Sequence, residues 1–410
     1  MVPILVDYKC SSFFEEYIYD NSGTFRKEVE YGESFMMEKN VLVIFLGTHN
    51  AGPIYTYEMT KGLLQNGAVV SAIVSSYTVN ISDWRSLPLR KLVEIPTYRN
   101  KREFLLETFK FFLYKRWKLK VAFHGEHFDA VYLPFFAAWN HFAIKYFSDI
   151  PLLYTVHDPI LHSGESKASQ FLNSFAVRDI KSADKVIVLS SIFQKYISEH
   201  YKKPINDIIV LPHGTFETYK DIGHNQTEAS DWYHDQADKI NFLFFGRIEY
   251  YKGIDLLIKA YSALEKKYLN RVSLLIAGKG DFSPYHDAFK QLRNAKLLNY
   301  MIPDEDVMSL FRGNNVITIL PYRDATQSGV INLAAQSSSL IISTNVGGLP
   351  EQLDYGKAGL LTEPTVQGLF KTMQDVIENK ERYDHIVEYG KSKVGGLTWK
   401  SLARELLCQI

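Results

Sequence analysis

From about residue 41 onward, short apolar runs rich in Val, Ile, Leu and Phe alternate with longer amphipathic stretches. That is the pattern of strands alternating with helices. The runs VLVIFL (41–46), AVVSAIV (68–74), AVYL (130–133), LLYTV (152–156), KVIVL (185–189) and IIVL (208–211) predict a first series of strands. A second series follows a polar gap: INFLFF (240–245), VSLLIA (272–277), VITIL (316–320) and LIIS (340–343). The runs are continuous rather than alternating, as expected where helices cover both faces of a parallel sheet. Residues 54–66 read as an amphipathic helix stopped at Gly67, and Ile254, Leu257, Tyr261 and Leu264 recur at helical spacing. Two βα sheets are therefore predicted. The polar, aliphatic-poor stretch 216–239 reads as the connection between them, with a hinge near residue 216, and residues 1–38 as an additional piece before the first strand. The absence of a short-period repeat or a low-complexity tract excludes solenoids and propellers.

Composition changes this picture little. A chain of 410 residues, at roughly 150 per domain, suits two well-cored domains, and 46% hydrophobic with 22% charged residues is ordinary globular composition. Lys plus Arg and Asp plus Glu each number 46, so no overall field recruits nucleic acid. The two cysteines, Cys10 and Cys408, stand at opposite ends and form neither a disulfide framework nor a metal-ligand pair, which suits a reducing, cytosolic setting. The start MVPILVDYKC lacks the features of a secretion signal, and no run of about 18 apolar residues occurs, so membrane contact is expected only from the side.

One stretch departs from neutrality. Residues 98–120 carry eight basic residues, from Arg99 to Lys120, against Glu103 and Glu107, interleaved with Phe104, Phe109, Phe111, Phe112, Tyr114 and Trp117. This composition suits an anionic membrane surface. It equally suits a helix that packs its aromatics on the first sheet and solvates its lysines. No recognition motif supports RNA binding there.

Five segments carry candidate chemistry. The turn GTHNAGP (47–53) places Gly47 and Gly52 before a helix, where close backbone approach and unpaired N–H groups favour an anion. It lacks both the dinucleotide fingerprint and the P-loop lysine. In YTVHDPILHSG (154–164), His157, Asp158 and Pro159 arrive at a strand's carboxyl end, the usual ligand side of such sheets; a structural histidine is the bland alternative, and His162 carries less support. FFGRIEYYKG (244–253) sets Arg247 and Lys252 just past a strand, five residues apart, where they can grip a diphosphate and neutralise the charge that grows as it departs. The alternative is two solvated cations. In PYRDATQSGVINLAAQ (321–336), Ser328 is the expected N-cap and the amides of Gln327, Ser328 and Gly329 can face a phosphate or sugar. Behind the glycine turn of STNVGGLPEQL (343–353), Glu351 can accept hydrogen bonds from sugar or ribose hydroxyls, or simply cap a helix.

GRIEYYKGIDLLIKAY, LLIAGKGDF, ILPY with SGVINLAAQ, ISTNVGGLPEQL and GKAGLLTEP occur in the order found in glycosyltransferase family 4, which the chain resembles most strongly over 240–364 and not at all over 1–38. The resemblance implies an α/β GT-B fold of two facing Rossmann-like domains: an acceptor domain over 1–215, a linker over 216–239, a nucleotide-sugar domain over 240–396, and a C-terminal helix over 397–410 that crosses back. It implies retaining, metal-independent transfer from a UDP- or GDP-linked sugar to a glycan or lipid-linked glycan. No cofactor is expected. A cytoplasmic role in surface polysaccharide assembly, such as capsule or O-antigen, follows, with or without peripheral attachment to the inner face of the plasma membrane.

By the same resemblance His157, Arg247 and Lys252 are the catalytic group, with His157 touching the donor sugar and the cations holding its diphosphate. Gly52 and Gly246 lie against the donor, Tyr300, Met301 and Ile302 hold the nucleobase, and Gln327, Ser328, Gly329 and Glu351 complete the donor site. One departure stands out. The family commonly has two glutamates, separated by seven residues, where this chain has Ala325 and Leu333. A non-catalytic nucleotide-sugar-binding subunit and a GT-B sugar-nucleotide epimerase are the competing readings; an NAD-dependent enzyme would lack its fingerprint. No carboxylate stands out as the nucleophile that a double displacement requires, so front-face substitution, with the departing diphosphate as base, is the expected mechanism.

Overall fold

The computed structural model describes residues 18–19, 25–26, 38–49, 51–98, 101–160, 167–215, 227–312 and 315–410. The candidate residues Cys10, Arg99 and His162, and most of 1–38, lie outside them. Two two-residue strands, β1 (Ile18–Tyr19) and β2 (Phe25–Arg26), pair antiparallel. Everything else is organised by two parallel sheets.

The first contains β3 (Asn40–Phe45), β4 (Val69–Ser75), β5 (Lys91–Ile95), β6 (Ala130–Leu133), β7 (Leu152–Val156), β8 (Lys185–Val188) and β9 (Ile208–Val210), in the order β5-β4-β3-β6-β7-β8-β9. The second contains β10 (Ile240–Phe245), β11 (Val272–Ala277), β12 (Ala295–Leu298), β13 (Val316–Leu320), β14 (Leu340–Thr344) and β15 (Leu360–Thr362), in the order β12-β11-β10-β13-β14-β15. In each sheet the order reverses beside the first strand, between β3 and β6 and between β10 and β13. Such reversals open a crevice at the carboxyl ends of the strands, because the flanking connections leave on opposite faces.

The central strands are apolar on both faces, and Val41 to Phe45 and all of β11 are buried. The sequence pattern missed β5, β12 and β15. All three are edge strands, mostly half-buried, and each is short or interrupted by a charge or a threonine (KLVEI, AKLL, LLT). The helix predicted from Ile254, Leu257, Tyr261 and Leu264 is present as Ile254–Tyr268, with all four side chains buried.

The returning C-terminal segment joins the halves. The Trp399–Leu407 helix packs against the Ala51–Gln65 helix of the first domain, and Thr215 donates both its N–H and its hydroxyl to the Leu397 carbonyl at 2.8 Å. The stretch expected as a connection is partly a helix: Glu228–Asp235 starts at a capping box made by Thr227 and Ser230, and Tyr233 donates to the Leu310 carbonyl at 2.7 Å. It therefore packs with the Asp304–Phe311 helix of the second domain; residues 216–226 lie outside the described ones.

The basic stretch folds as the Lys101–Lys110 helix, a π-helical turn Phe111–Lys115 and the Arg116–Ala122 helix. One face packs on the first domain: Phe111 and Leu119 are fully buried, and the Phe111 ring lies 5.2 Å from that of Trp139. The other face is also apolar. Leu105, Phe109, Leu113, Trp117 and Val121 recur every fourth residue and are each more than half exposed. A helix apolar on both sides has here one face that no described residue covers. Among the described residues, no helix is long and apolar enough to cross a membrane.

Candidate active site

The carboxyl ends of β3, β6 and β7 form one lip of the crevice, and an aromatic cage fills it. His157 leaves β7 into this cage: Nε2 lies 2.9 Å from the Pro134 carbonyl, with the Phe135 ring 4.0 Å and the Tyr55 ring 4.4 Å away. A carbonyl only accepts, so Nε2 carries the proton and Nδ1 is the acceptor of the neutral ring. Burial lowers the His157 pKa to about 4 against the Pro134 hydrogen bond, which favours the cation. At neutral pH this histidine is uncharged. His213, which the sequence reading missed, sits behind Tyr55 with ring centres 5.5 Å apart and is likewise lowered to about 4 by burial. Trp399 closes the cage from the returning helix, 4.9 Å from Tyr55 and 5.3 Å from His213.

Gly52 is packed within this lip. A Cβ there would stand 2.7 Å from the Phe45 ring and 3.1 Å from that of Phe135, so glycine is needed for the helix to approach the aromatics.

The opposite lip is charged. β10 ends at Gly246, whose φ of +136° lies in the glycine region and whose missing Cβ would meet nothing within 4 Å. Arg247 follows, exposed, with Nη1 2.8 Å from Glu249 Oε1. Lys252 is half-buried, its Nζ 3.8 Å from the centre of the Tyr322 ring at the end of β13. Such a cation–π contact holds the ammonium without neutralising it. Burial, with Arg247 adding to it, lowers the Lys252 pKa to about 8; the first-domain carboxylate Asp158 opposes the fall. Asp158 acts on His157 as well. The structure thus brings the His157–Asp158 pair and the Arg247–Lys252 pair to opposite sides of one crevice.

The loop before the Gly329–Gln336 helix departs from expectation. Ser328 is at the N-cap position but makes no cap; its hydroxyl faces the Tyr322 hydroxyl at 3.2 Å. Its amide is not open to a ligand either. It donates to Gln352 Oε1 at 3.0 Å, while Gln352 Nε2 donates to the Ser328 carbonyl and to Asn332 Oδ1. Asn332 in turn donates to the His213 carbonyl across the crevice, at 2.7 Å. Gln352 and Asn332 had no signal in the sequence, because their partners lie in other segments. Ala325 and Leu333, at the positions of the family glutamates, are buried among apolar neighbours.

Glu351 also spans the crevice. Its Oε2 accepts from the hydroxyls of Ser190 and Ser191, and the Ser191 amide donates to both carboxylate oxygens, at 3.0 Å to Oε1 and 2.8 Å to Oε2. At the end of β12, Tyr300 and Met301 are exposed, with the Tyr300 hydroxyl 3.2 Å from Glu228 Oε1, and Ile302 is buried.

Two family models match, "Glycosyltransferase Family 4" over residues 53–215 and "Glycosyl transferases group 1" over 226–393. The chain belongs to glycosyltransferase family 4. This family 4 chain is 23% identical over 283 residues to a D-inositol 3-phosphate glycosyltransferase of Corynebacterium aurimucosum, across 63% of its own length and 65% of the relative's. It thus spans just under two thirds of that protein. An uncharacterized glycosyltransferase of Methanocaldococcus jannaschii is 22% identical over 376 residues, covering 86% and 92% of the two chains. Anabaena HepE, solved with UDP and glucose, superposes with a TM-score of 0.66 over 91% of the family 4 chain and 100% of its own, at 16% identity. Together with the two parallel sheets, that likeness makes the fold GT-B.

Proposed function

We propose that this chain is a retaining glycosyltransferase that moves a sugar from a UDP- or GDP-linked donor to a glycan or lipid-linked glycan. The observation that carries the reading is the meeting of Arg247 and Lys252 with a neutral His157 at the two facing switch points. The donor diphosphate displaces Glu249 from Arg247 and raises the charged fraction of Lys252. A fixed pair of cations lowers the energy of the departing diphosphate more than that of the bound donor, since charge grows on it in the transition state. His157 Nδ1 accepts a hydrogen bond from a donor-sugar hydroxyl; an uncharged ring there does not repel the developing oxocarbenium. On one face of the sugar the bond to phosphate breaks as the bond to the acceptor oxygen forms, and the hydroxyl proton passes to the leaving phosphate oxygen. No metal enters this scheme.

Gly246 gives the diphosphate close access to the backbone, and Gly52 shapes the opposite wall. Tyr300, Met301 and Ile302 take the base, and Gln327, Gly329 and Glu351 take the sugar and ribose hydroxyls, the Ser328 amide being held by Gln352. HepE, solved with UDP and glucose, supports a nucleotide-sugar donor. The exposed stripe from Leu105 to Val121, flanked by exposed Lys118 and Lys120, rests on an anionic membrane and presents the chain to a lipid-linked acceptor from the cytoplasmic side, in surface polysaccharide assembly. Apolar insertion and charge attraction act together in such contacts.

The test is nucleotide release from a panel of UDP- and GDP-hexoses, with the anomer of the released or transferred sugar read by proton NMR before mutarotation. Retention with one donor is expected. Inversion overturns the mechanism, and binding without any turnover favours the non-catalytic subunit. For the membrane face, Leu113→Ser with Trp117→Ser should abolish flotation with anionic vesicles; unchanged flotation removes that surface from the account.

A further inference from the structure

We infer that Ser190 and Ser191 are positioning residues for Glu351, a clasp by which the first domain sets the geometry of a donor-site carboxylate in the second. The inference rests on the proposed role of Glu351 in holding donor hydroxyls. Ser190 and Ser191 follow β8 and open the Ile192–Tyr201 helix, while Glu351 lies in the short Leu349–Gln352 helix of the other domain. A hydrogen-bonded serine pair at a helix start is well suited to hold an anion, since backbone N–H, hydroxyls and the positive helix end converge there.

The four bonds fall unequally on the carboxylate. Oε2 accepts from the Ser190 hydroxyl, the Ser191 hydroxyl and the Ser191 amide; Oε1 shares only that amide, at its longer distance of 3.0 Å. A carboxylate offers about four acceptor sites over two oxygens, so Oε2 is saturated and Oε1 keeps the capacity for a ligand hydroxyl. The clasp therefore assigns the two oxygens different duties, Oε2 to the first domain and Oε1 to the donor.

A second observation marks the same contact as a built one. Gly348, three residues before Glu351, approaches so closely that a Cβ there would stand 2.1 Å from the Thr326 carbonyl and 3.0 Å from the Ser190 Cβ. The glycine lets Ser190 and the donor loop pack on the same turn. Domain approach and donor geometry are thus linked through one backbone position. Ser190 is buried within this contact while Ser191 stays exposed, so the clasp sits at the mouth of the crevice, not deep in the hinge.

The experiment is calorimetric titration of the full chain with UDP, GDP, UDP-glucose and GDP-mannose, on wild type, Ser190→Ala/Ser191→Ala, Ser190→Thr, Glu351→Ala and the triple variant. Glu351→Ala and the double serine variant should each weaken the bound nucleotide about tenfold, the triple variant should be no weaker than Glu351→Ala, and Ser190→Thr should restore wild-type affinity. A merely structural contact would instead lower thermal midpoints in all variants and leave affinity untouched. Weakening by Glu351→Ala with wild-type affinity in the double serine variant, or losses that multiply in the triple, overturns the clasp and leaves the donor reading standing. No effect of Glu351→Ala removes Glu351 from the donor site, and the clasp with it. A wild-type chain that binds none of the four overturns the donor site itself.

Discussion

The two lips of the crevice reach the same place by opposite physics. On the first-domain lip, Tyr55, Phe135, His157, His213 and Trp399 are packed ring against ring, and burial strips charge from both imidazoles. On the second-domain lip, Arg247 is exposed beside Glu249, and Lys252, half-buried over an aromatic face and lowered only to about 8, stays mostly charged at neutral pH. One side provides shape and a dry wall; the other provides field. Substitutions on the aromatic lip should therefore be felt first as stability, and those on the cationic lip first as ligand affinity.

The largest expected effect is on the aromatic lip. Trp399 is 1% exposed and touches both Tyr55 and His213, so Trp399→Ala should cost about 3–5 kcal/mol of unfolding free energy, measured by chemical denaturation. A loss under about 1 kcal/mol would show that the returning helix is not part of the wall.

Next comes acid sensitivity. His157 and His213 have folded pKa values near 4 against an unfolded value near 6.5. The unfolded chain binds more protons between those values, so the stability these groups contribute is complete above about pH 6.5 and is lost as pH falls towards 4. Each shift corresponds to about 3 kcal/mol at full extent. Asp179, pushed up to about 6 by burial, titrates with the opposite sign over part of that window, so the readout is the difference between wild type and His157→Asn. The variant should lose stability less steeply on acidification; parallel curves would mean that His157 is not buried in the neutral form.

The cationic lip gives a smaller, ligand-linked effect. Because the free Lys252 ammonium titrates at about 8, nucleotide affinity should decline up to tenfold per pH unit above that value, and Lys252→Arg should move the decline upward. A flat profile to pH 10 would place the diphosphate elsewhere. The smallest effect is expected from the outer stripe. Leu113 and Trp117 are 62% and 66% exposed, so their replacement by serine should change the unfolding free energy by less than about 0.5 kcal/mol, even though vesicle flotation is lost.

The division between the lips also explains what the sequence could tell. Strands with apolar residues on both faces were legible one by one, and so were the glycine turns that end β3, β10 and β14. The edge strands β5, β12 and β15 were not, because a short, half-solvated strand broken by a charge or a threonine resembles a loop. Arg247, Lys252 and His157 were visible because each stands just past a strand, and chain order alone takes them to the crevice. Their partners were not. Glu351 meets Ser190 and Ser191 from 161 and 160 residues away, and Asn332 meets His213 from 119 residues away; no local pattern encodes such pairs. The N-cap expected at Ser328 failed for the same reason, since Gln352 and Tyr322 compete for its amide and hydroxyl. The order of motifs, by contrast, carries the family and the fold in the sequence itself.

The most direct test of the division is titration of Arg247→Ala/Lys252→Ala with UDP and GDP, beside its thermal midpoint. Two charge-assisted contacts, each of about 2 kcal/mol, predict roughly a thousandfold loss of affinity for the nucleotide that the wild-type chain binds, with the midpoint held within a few degrees. Wild-type affinity in that variant would contradict the placement of the diphosphate on the second-domain lip, and the proposed transfer mechanism with it.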